Sequence, residues 1–198
     1  MDSGAVPVME AERAKYERLW GEVPDYRINS PGEQMLMPWL KIVKPLPQAS
    51  VIDFGCGGGK AAMVMGLMSF RVRLVDIAAN CLAPEVAELV AAGRLSFRAA
   101  DITDPGLDLE PADLGYCCDV MEHIPTDRVE QTIRNIVRIA ADSFFLVNFC
   151  DDHFGADIGE TLHLTVRPYS WWLDLFRSLA TITDARDLCG KGIFRVAR

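Results

Sequence analysis

The sequence predicts an α/β protein with a doubly wound, seven-stranded, mostly parallel sheet that ends in a C-terminal antiparallel hairpin. Three observations carry this. Residues 50–62 pass from a β-branched apolar run through a glycine cluster into alanine- and methionine-rich sequence, which is a strand, a tight turn and a helix. Further apolar runs at 72–76, 95–100, 114–118 and 143–149 are separated by stretches with helical spacing, the alternation of a parallel sheet. Finally, residues 180–184 and 193–198 read as strands whose short link, Gly190-Lys191-Gly192, implies a hairpin.

The first turn narrows the ligand. Gly55, Gly57 and Gly59 follow Asp53, and glycines let backbone approach a ligand. A dinucleotide fingerprint fails because its third glycine would fall at Lys60, and a phosphate loop fails at Phe54 and Ala61. A carboxylate just before the loop repels a pyrophosphate and favours a cationic amine or sulfonium. The pattern Asp53-x-Gly55-x-Gly57-x-Gly59 resembles motif I of the class I S-adenosylmethionine-dependent methyltransferases. The resemblance runs from about residue 48 to the end and implies a Rossmann-like methyltransferase fold, with S-adenosyl-L-methionine as cofactor and S-adenosylhomocysteine as product.

Bulk properties agree with one soluble domain. The chain has 198 residues, half of them apolar, and its net charge of −8 gives no general attraction to nucleic acid. No apolar run is long enough to span a bilayer, and the N-terminus has no secretory layout, so a cytoplasmic location without membrane contact is expected. Six cysteines are scattered without a Cys-x-x-Cys pair, so they read as small buried hydrophobes and no metal site is expected. A catalytic thiol at Cys117, Cys118 or Cys150 is the lesser alternative.

In chain order, residues 1–9 read as a flexible tail and Met9–Trp20 as a short amphipathic helix. A loop over 21–31 and a helix from Pro31 to Pro45 complete an N-terminal segment, 1–45, taken as a helical cap over a core spanning 46–198. In the resembling family such helices close over cofactor and substrate, which would make Tyr16, Trp20 and Tyr26 contacts. The second strand ends at Asp76-Ile77, beside the glycine turn, where the acid can accept both ribose hydroxyls or merely cap a helix. At the third strand's end, Asp101-Ile102 matches the family's adenine-binding position, with helix capping as competitor. The fourth strand exits through Asp119-Val120-Met121-Glu122-His123-Ile124-Pro125, similar to the family's apolar run followed by Leu-Glu-His-Ile-Pro. The resemblance thus assigns the cofactor to Asp53, Gly55, Cys56, Gly57, Gly59, Asp76, Ile77, Asp101, Ile102 and Asp119.

After an amphipathic helix over 127–141 and the fifth strand, a long loop from Cys150 leads to a helix that Ser170 should cap. Long loops in compact domains are often functional. His163 within it and His123 at the strand exit are the candidate catalytic residues, with loop-fixing hydrogen bonds as the alternative. His153 beside Asp151 and Asp152 has no spacing that fixes a metal geometry. The expected function is methyl transfer to an acceptor of unknown identity. The acidic charge and the lack of an inserted substrate domain favour a small molecule. A nucleic-acid or protein acceptor met through Arg167, Arg177, Arg186, Lys191 and Arg195 is the alternative, as is a catalytically silent binding subunit. Oligomeric state is not legible.

Overall fold

The computed structural model describes residues 5–198. Seven strands form one sheet in the order β3-β2-β1-β4-β5-β7-β6. The strands are β1 (Ser50–Phe54), β2 (Arg71–Asp76), β3 (Ser96–Ala99), β4 (Ala112–Cys118), β5 (Ala140–Asn148), β6 (Thr181–Asp187) and β7 (Lys191–Ala197). β1 to β5 pair in parallel, and β7 runs antiparallel to both β5 and β6. The helices are α1 (Ala5–Glu22), α2 (Pro24–Ile28), α3 (Pro31–Val43), α4 (Lys60–Leu67), α5 (Pro84–Ala91), α6 (Val129–Ile139) and α7 (Tyr169–Leu179).

The period of two along each strand sends alternate side chains to opposite faces, so a sheet covered on both sides needs continuous apolar runs. Ile52, Phe54, Phe145 and Val147 meet Ile133, Ile136, Trp172 and Phe176 from α6 and α7. On the other face Val51, Phe144 and Leu146 meet Leu36 and Trp39 of α3 and Ala62 and Met65 of α4. α3 is therefore part of the core, while α1 and α2 lie across the strand tips. Successive strands leave β1 in opposite directions, β2 to one side and β4 to the other. The crevice at that reversal, beyond the C-terminal ends of the strands, is where such sheets bind ligands.

Several boundaries differ from the sequence reading. Of the expected tail, residues 1–4 lie outside the described residues, and helix α1 already begins at Ala5. The loop expected over 21–31 contains α2, started by Pro24 at a position where the missing N–H costs nothing. Ser170 does not cap α7: the helix starts at Tyr169 and its cap position is Pro168. The hairpin turns at Leu188–Gly190, and Leu188 N–H donates to the Lys191 carbonyl at 2.8 Å, so the strands run closer to the turn than expected.

One buried polar side chain ties a site loop to the scaffold. Asn135 of α6 is 1% exposed, and its amide donates to the carbonyls of Ile102 (2.9 Å) and Asp104 (2.8 Å) in the segment after β3. Asn135→Ala removes both bonds and leaves the buried Ile102 carbonyl and the part-buried Asp104 carbonyl short of a donor. It should cost about 1–3 kcal/mol, read by urea unfolding. An unchanged midpoint would mean that the segment holds itself.

Candidate active site

The β1–α4 turn is shaped by its glycines and by one acid. Gly59 has φ +77°, and a Cβ there would stand 2.7 Å from Leu74 and Val86 side chains, so a side chain would push α4 off the sheet. Asp76, at the tip of β2, accepts Gly57 N–H (2.9 Å) through Oδ2 and Ala78 N–H (2.9 Å) through Oδ1. Its carboxylate thus fastens two turns together. Each oxygen retains a second lone pair, and the residue still lines a cavity with Ile77, Asp101, Ile102, Val120 and Tyr16.

Asp53 is 4% exposed, and burial, followed by the neighbouring charge of Asp76, pushes its carboxyl up to about 7. Asp101 does cap its own turn: Oδ1 accepts Thr103 N–H at 2.8 Å. Asp119 sits at φ +60°, an uncommon backbone for a residue with a Cβ, directly after β4. Its N–H donates to the Leu146 carbonyl at 2.9 Å, so β5 holds the turn in place.

A second cavity, of about 260 Å³, adjoins the first and is lined by Asp53, Cys56, Asp119, Asn148, His163 and Lys191, among others. Gly55, Gly57, Asp119, His123, Trp20 and Tyr26 border both cavities. The two form one crevice in which the aromatic residues of α1 and α2 stand at the junction. A Cβ at Gly57 would lie 3.0 Å from the Trp20 ring, and the Trp20 and Tyr26 rings meet edge-on with centroids 4.7 Å apart. All ten cofactor candidates from the sequence lie on or beside this crevice except Gly59, which is buried behind the turn and shapes it.

His123 and His163 come together, with ring centroids 4.6 Å apart and planes at 90°. His163 Nδ1 donates to the Cys150 carbonyl at 2.5 Å, and His123 Nδ1 lies 2.8 Å from the Tyr16 hydroxyl. Burial and then the charge of His163 lower His123 to about 4, so it is neutral at pH 7 and a poor base. Glu122 is wholly buried beside Asp119, and burial followed by that charge raises its carboxyl well above the usual range. Cys117 and Cys118 are buried and held as thiols, their ionisation opposed by burial, which removes them as nucleophiles. Cys150 is exposed on the loop. The sequence reading missed Asn148, whose place at the end of β5 was the available signal, and the contact of Tyr16 with His123, which no spacing encodes.

Residues 51–143 match the family model described as a methyltransferase domain. A ubiquinone biosynthesis O-methyltransferase of Paracidovorax citrulli is 28% identical over 153 residues, covering 73% of this chain and 64% of that protein. This chain therefore spans somewhat less than two thirds of that relative. Among solved structures, the fold is similar to a Burkholderia thailandensis 1,6-didemethyltoxoflavin-N1-methyltransferase with bound 1,6-didemethyltoxoflavin and S-adenosylhomocysteine. That match has a TM-score of 0.76 and 17% identity and covers 99% of this chain and 91% of that one. It is also similar to the S-adenosylhomocysteine-bound magnesium protoporphyrin IX methyltransferase of Synechocystis, with a TM-score of 0.65, 19% identity and 93% of both chains covered. No described helix is long and apolar enough to cross a membrane.

The raised Asp53 carboxyl sets a pH dependence of stability. Below its ordinary 3.8 both folded and unfolded forms carry the proton and nothing is lost. As pH rises from there to about 7, the unfolded form ionises first, so folding stability falls until the folded form ionises too. Asp53→Asn cannot ionise. Its melting temperature should gain on that of the parent between about pH 4 and about pH 7. A gap that stays constant over this range would mean that Asp53 is ionised in the fold throughout.

Proposed function

We propose that the protein is a class I S-adenosylmethionine-dependent methyltransferase, which transfers a methyl group from S-adenosyl-L-methionine to a small-molecule acceptor and releases S-adenosylhomocysteine. The observation that carries this reading is the pair of adjoining cavities at the reversal of strand order. One is lined by the acids and apolar residues at the tips of β2 and β3, the other by Asp53 and the β4 and β5 exits.

Asp53 and the glycine turn would hold the methionine end of the cofactor. A cationic amine beside Asp53 offsets the burial that otherwise keeps the carboxyl protonated. Asp76 would accept the ribose hydroxyls with its free lone pairs. Asp101 Oδ2, left over from the capping bond, would accept from the adenine amine, with Ile77 and Ile102 against the base. Bound so, the cofactor supplies an activated sulfonium methyl. The chain's own work is to align an acceptor lone pair with it and to exclude water.

Small size of the acceptor is supported by the cavity of about 260 Å³ between the cap and the 150–168 loop. Of the basic side chains named as the alternative route to a polyanion, most are engaged: Arg177 with Asp174, Arg186 with Asp184, Lys191 with Asp119 and Arg195 with Asp142. The relative from Paracidovorax, named as an O-methyltransferase, favours oxygen as the atom methylated. We assign the cap to α1 and α2, whose Tyr16, Trp20 and Tyr26 must yield space at the junction of the cavities when the cofactor enters.

Calorimetry with S-adenosylhomocysteine tests the cofactor assignment. Asp76→Ala should lose about 1–3 kcal/mol of affinity, the range for hydrogen bonds to a charged acceptor, while undiminished binding would remove Asp76 from the site. Incubation with S-adenosylmethionine and a metabolite extract, followed by mass spectrometry, should show an acceptor heavier by one methyl group. Tight binding with no methylated product would favour a silent binding subunit.

A further inference from the structure

We propose that Glu122, His123 and His163, with Asp119 alongside, form a binding site for a divalent transition-metal cation at the acceptor end of the crevice. One ligand atom from each of Glu122, His123 and His163 lies within 4.8 Å of the other two, close enough for small side-chain movements to bring all three onto a single ion. Two imidazoles and a carboxylate form the donor set of zinc, iron(II) and related ions, and they leave further coordination positions open.

The geometry around the three residues is that of oriented ligands. A carbonyl only accepts, so the bond from His163 Nδ1 to the Cys150 carbonyl fixes the proton on Nδ1 and leaves Nε2 a bare lone pair. His123 Nδ1 faces the Tyr16 hydroxyl, which in the matching tautomer again leaves Nε2 open. Imidazoles that bind metals are characteristically held this way, through the ring nitrogen that does not face the ion. The two chain segments are also tied to one another. Leu164 and Thr165 N–H groups both donate to the Glu122 carbonyl, at 2.8 and 2.9 Å, which seats the 163 loop against the β4 exit.

An independent observation points into the same place. Glu122 is wholly buried; its Oε1 accepts Asn148 N–H at 2.7 Å, but its Oε2 has no donor. Asp119 Oδ1, also buried, has no hydrogen bond, and the Lys191 ammonium stands 3.7 Å away. The ammonium stands beside Asp119 only, and a buried carboxylate oxygen without a partner, as Glu122 Oε2 is, is costly. A cation held by Glu122 and the two histidines satisfies the Glu122 oxygen and adds positive charge near Asp119. The contrasting cluster of Cys56, Asp76 and Cys81 offers no such vacancy, because both Asp76 oxygens already take backbone donors. Sequence spacing pointed to no metal because Glu122 and His163 are 41 positions apart and meet only through the fold.

The open positions of such an ion face the cavity assigned to the acceptor, where the ion would anchor an oxygen of that molecule. This role rests on the methyltransferase reading; the binding of the ion does not. The test uses the full chain, stripped with a chelator and titrated with Zn²⁺ by calorimetry and with Co²⁺ by visible absorption, with S-adenosylhomocysteine binding measured in parallel. About one equivalent should bind, and the Co²⁺ spectrum should show nitrogen ligation. His163→Ala, on an exposed-side loop, should weaken Zn²⁺ by at least about tenfold with an unchanged circular dichroism spectrum. His153→Ala should leave Zn²⁺ binding as it is. No Zn²⁺ binding, or binding that follows His153 and ignores His163, overturns the site; the former would mean that Asp119 and Glu122 share a proton instead. S-adenosylhomocysteine binding without Zn²⁺ binding sinks the cation site and spares the methyltransferase reading. His163-dependent Zn²⁺ binding without S-adenosylhomocysteine binding upholds the site and sinks that reading.

Discussion

The bonds from Gly57 and Ala78 N–H to the Asp76 carboxylate are the constraint on which the rest of the site depends. They join the turn after β1 to the turn after β2, and so hold the glycine loop open against the sheet rather than folded into the crevice. Gly55 and Cys56 N–H groups, both donating to the Val75 carbonyl at 2.8 and 3.0 Å, continue the same seam. Once this seam is made, Asp53 sits buried at the wall of the cavity, beside a second acid. Fixing the loop and leaving a carboxyl in want of a cation are two results of one arrangement.

The exit of β4 repeats that logic with different chemistry. Asp119 accepts a left-handed backbone, Glu122 is packed away from water, and two histidines are aimed at the same small volume. Such concentrated unfavourable local choices are what functional sites keep while the surrounding structure holds them in place. Here the holding structure is β5, which takes Asp119 and Glu122 through Leu146 and Asn148, and the 163 loop, which takes the Glu122 carbonyl.

Much of this was legible in the sequence because it is local. Strand β1, its glycines and the acid at the end of β2 follow one another within 27 residues, and their meanings rest on backbone conformation and strand–helix–strand geometry. The apolar runs of β4 and β5 and the terminal hairpin follow from periodicity and turn residues alone. What escaped was non-local or depended on which competing partner won. The helix cap expected from Ser170 was displaced by Pro168, whose extended backbone starts the helix two positions earlier. Asp101 and Asp76 each spend oxygens on neighbouring N–H groups, a use that capping chemistry allowed but could not rank. The closeness of Trp20 to Gly57 and of Tyr16 to His123 depends on how α1 lies across the strand tips, which no spacing records.

The central claim is that acids at successive strand tips, set by the Asp76 seam, receive one sulfonium nucleoside. A crystal structure of the full chain with S-adenosylhomocysteine tests it most directly. The account expects the amino group at Asp53, the ribose at Asp76 and the base between Ile77 and Ile102, with Trp20 moved from the Gly57 turn. A ligand bound elsewhere, or a crevice that stays filled by Trp20 and Tyr26 at saturating ligand, would contradict it.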